Sequence, residues 1–162
     1  MPGPIRQILV NVDGSEESLT AAEYAILLAR AVDARLFACY VVNTRALQDL
    51  VRSHIFLEAE EKEYSRDLEA DADRYLNHVR KSGDAKNVRV ECIKRSGSVH
   101  QELLKVVEEE SIDLLVLGEL AHVRSRRDEF YDESERAMRS AGCSVLIVKD
   151  ADRVDELFQS GT

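Results

Sequence analysis

Gly118 stands directly after the apolar run Leu114–Leu117 and opens a polar loop, ELAHVRSRRDEFYDES, that leads to a second apolar run at Val145–Val148. In an open parallel sheet, ligands bind just beyond the carboxyl ends of the strands, so this loop is the first place to look for function. Asp13-Gly14-Ser15, after the apolar run Ile8–Val12, is a second strand end with polar groups; a strand-end Asp is also a common turn former. No other pattern carries chemistry. The chain holds no Walker lysine, no G-x-S-x-G, no cysteine–histidine pairing and no carboxylate cluster at the strand ends, so no catalytic residue is assigned and a non-enzyme is expected. Cys39, Cys92 and Cys143 lie far apart without a C-x-x-C, and His54, His78, His100 and His122 lack ligand spacing. Neither a disulfide framework nor a metal site is expected, and the three cysteines read as small buried core residues.

The elements that must position these strand ends follow from periodicity. Ile8–Val12, Leu36–Val42, Leu114–Leu117 and Val145–Val148 are short and branched enough to be strands buried on both faces. Val88–Ile93 alternates, as an edge strand with one wetter face does. Between them, Glu16–Ala31 repeats apolar residues at helical spacing behind the N-cap candidate Ser15. A long helix starts at Leu57 with Tyr64, Leu68, Ala72, Tyr75 and Val79 inward, and stops near Ser82-Gly83. Ser98 and Gln101 have capping-box spacing ahead of a third helix, ending near Glu110. Asp132 or Ser134 is expected to cap a fourth, which buries Ala137, Met138 and Ala141 and stops at Gly142. Arg45–Phe56 reads as an irregular or partly helical excursion. Strands alternating with helices give an α/β three-layer sandwich: a five-stranded parallel sheet with helices on both faces. Residues 1–150 make one domain, and the 151–162 tail offers only Val154, Leu157 and Phe158 for a short docking helix.

The chain resembles the universal stress protein family over Ile5–Lys149. The likeness rests on ILVNVDGSEESLTAAEYAILLA, YVV in the second strand, RSGSVHQELL, and DLLVLG with SERAMRSAGCSVLIV. It implies a flavodoxin-like sheet with the first and fourth strands adjacent, and Asp13 and Gly118 on either side of the switch point. Members that bind ATP carry G-x-x-G, nine residues, then G-S or G-T. Here Gly118 fills the first position, Ala121 the second, and Tyr131-Asp132 the closing pair. The spacing survives while the groups that would admit phosphate do not: a ring and a carboxylate replace a glycine and a hydroxyl, and the carboxylate would cost a polyphosphate roughly 1 to 4 kcal/mol. Asp13 and Val41 match positions that touch base and sugar, and Ser134 matches a further hydroxyl beside the phosphates. The resemblance therefore implies a vestigial or weak nucleotide site at Asp13, Val41, Gly118 and Ser134, with no cofactor. The alternative is an ATP or AMP sensor, with or without Mg, in which Arg124, Arg126 and Arg127 neutralise phosphate; Asp128 and Glu129 follow and are expected to pair with them.

With 31 acidic and 22 basic residues, the net charge of -9 repels phosphate backbones and anionic membranes, so neither nucleic acid nor membrane is the expected partner. No stretch has the roughly 20 apolar residues of a membrane span, and MPGPIRQILVNV does not read as a signal peptide, which points to the cytoplasm. The family order puts Cys143–Val148 at a sheet edge. An apolar edge without proline or inward charge needs cover, so a homodimer joined through that strand is expected, with Leu157 and Phe158 covering it in one chain as the competing answer; other protein partners stay open.

Overall fold

The computed structural model describes residues 3–44, 58–120 and 129–160, with the backbone alone described at 58–61 and 129–132. Five strands, β1 (Gln7–Asn11), β2 (Arg35–Val42), β3 (Val90–Ser96), β4 (Leu114–Gly118) and β5 (Ser144–Val148), form one parallel sheet in the order β3-β2-β1-β4-β5. Its connections are α1 (Glu16–Val32), α2 (Glu58–Ala85), α3 (Val99–Glu109) and α4 (Glu129–Ser140), and α5 (Ala151–Ser160) follows β5. The expected class and strand order are both found.

Period two sorts the strands into two cores. Ile8, Val10, Leu36, Ala38 and Val116 pack against Ala22, Ala25 and Ile26 of α1, Val79 of α2 and Val154 of α5. Leu9, Phe37, Cys39, Leu115 and Leu117 face the other way, onto Leu103 and Val106 of α3 and Ala137 of α4. β1 and β4 are apolar on both faces and so take the middle. β3, whose exposure alternates, takes the edge.

Several expectations shift. β3 runs Val90–Ser96, two residues later than Val88–Ile93 at its start, because Val88 N–H still closes the end of α2 on Gly83 C=O. α2 continues through Gly83 to Ala85, and Tyr64 is exposed on it, not buried. A helix of 28 residues spans about 42 Å while a 7-residue strand spans about 23 Å, so the N-terminal part of α2 overshoots the sheet. Cys39 is buried, but Cys143 is half-buried and Cys92, on the edge strand, is exposed. Burial pushes the Cys39 thiol up to about 12, so it is an inert core group. α4 already includes Glu129, so Asp132 and Ser134 lie inside it and neither caps it. Arg45–Phe56 lies outside the described residues.

The tail forms the docking helix. Asp150, with φ of 60°, accepts Arg153 N–H and starts α5. Val154 is 2% exposed in the core and Phe158 lies beneath the Lys86 ammonium, 4.8 Å from the ring centre, while Leu157 faces out. Between α1 and α5, burial first and the Asp155 carboxylate second push Glu23 above the ordinary carboxylate range, against the opposing pull of His78 on α2. A raised carboxylate stabilises the fold when protonated and loses that contribution as pH rises through its folded value. Glu23→Gln should therefore raise the melting temperature at neutral pH by a degree or two, about 0.5 kcal/mol, and the gain should vanish near pH 4 in a calorimetric pH series.

Candidate functional site

The end of β1 is set by one serine. Ser18 is 3% exposed; its hydroxyl accepts the Asp13 N–H at 3.2 Å and donates to Ser15 C=O at 3.0 Å, while its own N–H caps onto Ser15 Oγ at 3.2 Å. Ser15 is thus the N-cap that the sequence suggests. Asp13 turns its carboxylate back to Ser15 N–H and Oγ, at 2.9 and 2.5 Å. Gly14 has φ of 85°, and a Cβ there would sit 2.7 Å from the Tyr75 ring. Tyr75 stacks on Tyr40 with centroids 6.3 Å apart, under the Arg74 guanidinium. Burial, then the nearby Asp13 and Asp71 carboxylates, push the Tyr40 phenol above its ordinary value. The strand-end aspartate therefore has an aromatic wall that periodicity alone assigned to core.

Gly118 meets the same turn from β4. A Cβ on Gly118 would stand 2.6 Å from Glu17 C and O and 2.9 Å from Ser18 N, all backbone atoms of the first turn of α1. Packing alone thus demands glycine here, whatever the ligand. Val41 completes the strand ends. Cys39 C=O accepts Val12 N–H at 2.9 Å toward β1, and Val42 C=O accepts Gly97 N–H at 3.0 Å toward β3. Alternation makes Val41 the next residue of β2 facing β1, but the β1 ladder has ended at Asn11, opposite Cys39. Its N–H and C=O face the space β1 has left, a donor and acceptor suited to a base edge. Asp13, Val41 and Gly118 thus come together at the switch point. Ser134 is half-buried, a turn into α4 at the same end of the sheet. Ala121, Arg124, Arg126 and Arg127 lie outside the described residues, as do the side chains of Tyr131 and Asp132.

A group that sequence reasoning missed sits beside Ser134. Glu133 on α4 reaches the start of α3, where its Oε2 accepts His100 N–H at 2.9 Å, approaches His100 Nδ1 at 2.5 Å, and accepts from Ser98 Oγ at 3.3 Å. Burial alone would raise Glu133, but the backbone and ring hydrogen bonds of His100, its charge and Ser98 outweigh it, and the carboxyl lies below the ordinary range. Ser98 takes the N-cap backbone conformation, yet its hydroxyl makes no cap bond; the expected capping box is replaced by a carboxylate from another helix. Serine, histidine and glutamate together suggest a nucleophilic triad, and the geometry rejects it. Both Ser98 and Glu133 address the same ring nitrogen, so no relay runs from carboxylate through the ring to hydroxyl. The arrangement is a clamp between two helix starts. No local signal marks it, because its partners are 33 residues apart. Among the described residues, no group of three or more His, Cys, Asp or Glu is placed to hold a metal ion, and no helix is long and apolar enough to cross a membrane.

Residues 4–149 match the universal stress protein family. A universal stress protein of Methanocaldococcus jannaschii is 28% identical over 144 residues, which cover 89% of this chain and 82% of that one. Among solved structures, a universal stress protein family protein of Burkholderia pseudomallei aligns with a TM-score of 0.71 at 23% identity, over 92% of this chain and 100% of that one. One from Arabidopsis thaliana, with AMP bound, gives 0.63 at 17% identity over 91% and 94%.

Two variants test the site's framework. Gly118→Ala should destabilise the protein by about 2–3 kcal/mol, measured by urea unfolding without any nucleotide, because backbone cannot move aside as a side chain does. The clamp contributes stability above the ordinary carboxylate range and loses it as pH falls through the lowered value of Glu133. Glu133→Gln should accordingly cost about 1–2 kcal/mol at pH 7 and flatten the acid limb of the stability curve.

Proposed function

Because the chain belongs to the universal stress protein family, we propose that it acts without catalysis, as a dimeric, cytoplasmic regulatory module of the stress response whose nucleotide pocket has degenerated. The observation that carries this reading is the N-terminal side of α4, where Tyr131 and Asp132 stand in place of the glycine and hydroxyl that would give phosphate room and a donor, and Glu133 follows at once. Glu133 is committed to the start of α3, which puts a carboxylate beside that segment. Gly118 does not count against this, since its contact with α1 requires glycine independently.

Dimer formation is supported by β5. Hydrogen-bonded to β4 on one side only, it leaves Val145, Leu146 and Ile147 half-buried. α5 packs onto one face of the sheet rather than along this edge, so the open backbone groups of β5 need a partner.

A second reading has its own support. In this reading the N–H and C=O of Val41, which face the space beyond the end of β1, and Asp13 would meet a base; the Arabidopsis protein has AMP bound. A mononucleotide carries less charge toward α4 than ATP does, and in this reading the Arg124, Arg126 and Arg127 group would meet its phosphate, as it would that of ATP, with or without Mg. Calorimetry with ATP and with AMP, each with and without magnesium, separates the two. The degenerate-pocket reading expects ATP binding no tighter than about 100 μM, and Ala121→Gly, Tyr131→Gly and Asp132→Ser together should tighten it tenfold or more, with Asp13→Ala in that background loosening it again. A low-micromolar dissociation constant for either nucleotide on the unaltered protein would replace it with the sensor reading.

A further inference from the structure

α5 lies beyond the residues that match the family, and one side of it, at Val154 and Phe158, serves the protomer. Val154 turns into the core and Phe158 packs against it, whereas Arg153 is exposed and Leu157 keeps 43% of its surface in solvent, one of three large apolar side chains so exposed among the described residues. Between this outward side and the free edge of β5 runs a groove of about 330 Å³, lined by Tyr24, Leu146, Ile147, Lys149, Arg153 and Leu157. It is continuous with the edge at which a second copy is expected.

We infer that α5 of a second copy fills this groove, so that two C-terminal helices pair antiparallel across the β5 seam, with Leu157 of each against the groove of the other. The inference rests on the β5 dimer of the preceding section. Joining two β5 edges antiparallel creates a two-fold axis perpendicular to the sheet, which keeps corresponding faces on the same side. On the face covered by α1, α2 and α5, the outermost element is α5, since it follows β5 directly and packs beside α1. Across the seam its neighbour is therefore the other α5, running the opposite way. Arg153 and Glu156 are both exposed and share the outward side of α5 with Leu157, so the antiparallel arrangement can set Arg153 of each helix against Glu156 of the other. Leu157 would then enter against Leu146, which faces the α5 side of the sheet, and Tyr24, beneath Lys149 and Arg153.

Sedimentation equilibrium on the full chain, with light scattering as a check, tests this. The unaltered protein should give about twice 18.3 kDa. Leu157→Glu should raise the dimer dissociation constant tenfold or more with an unchanged circular dichroism spectrum, and Leu157→Ala should do so to a lesser degree. Arg153→Glu should weaken the dimer, and adding Glu156→Arg to it should restore most of the loss. A monomer for the unaltered protein overturns the β5 dimer and this inference with it. A dimer that both Leu157 variants leave within twofold of its original dissociation constant overturns this inference alone and leaves the β5 seam standing, with α5 then free for another partner.

Discussion

The backbone of Gly118 touching the backbone of Glu17 and Ser18 is the contact on which the rest of the switch point depends. It lets the first turn of α1 settle over the end of β4 with no side chain between them. That turn in turn holds Ser18, whose buried hydroxyl takes the Asp13 N–H just past the end of β1 at Asn11. Once β1 is ended there, β2 runs on past it, and Val41 presents a donor and an acceptor to the space left over. The arrangement at the middle of the sheet thus depends on one missing Cβ. The same missing Cβ is what a phosphate loop would also need, and the two demands cannot be told apart from the residue type. Only the identity of the neighbour, helix backbone, decides which one is being met.

Beside the switch point the chain supplies its own negative charge. Helix starts leave N–H groups that favour an anion. In this protein the start of α3 is satisfied by Glu133 of α4, so one carboxylate ties the two helices together. Asp13 is similarly engaged, with its own N-cap serine.

The periphery follows a different logic. β3 manages its exposed edge by alternation, with polar and charged residues on the wetter side and surface ion pairs such as Arg35–Glu91 and Lys94–Asp73 around it. β5 has no such protection along its own length. The C-terminal helix covers one face of it, held by Val154 and by the Lys86–Phe158 contact, and among the described residues no strand pairs with its outer edge. Opposing that docking are Glu23 and Asp155, two carboxylates brought together only by the packing of α5 on α1.

What the sequence determined by itself is whatever repeats locally. Continuous apolar runs at Ile8–Val12 and Leu114–Leu117 specify buried central strands, the alternation from Val88 specifies an edge, and Ser15 specifies the start of α1, because each depends on residues within a turn or a strand of one another. The departure of Tyr131-Asp132 from a phosphate-binding pattern was legible only through the family resemblance. The tertiary structure alone decided what depends on residues distant in the chain: that Glu133 replaces the cap of α3, that Tyr40 and Tyr75 wall the turn at Gly14, that Tyr64 stands clear of the sheet on an overlong helix, and that Asp132 and Ser134 lie inside α4 rather than capping it. Local propensity offers several caps and several inward faces at nearly equal free energy. Contacts between elements choose among them, and those contacts exist only once the sheet has been assembled.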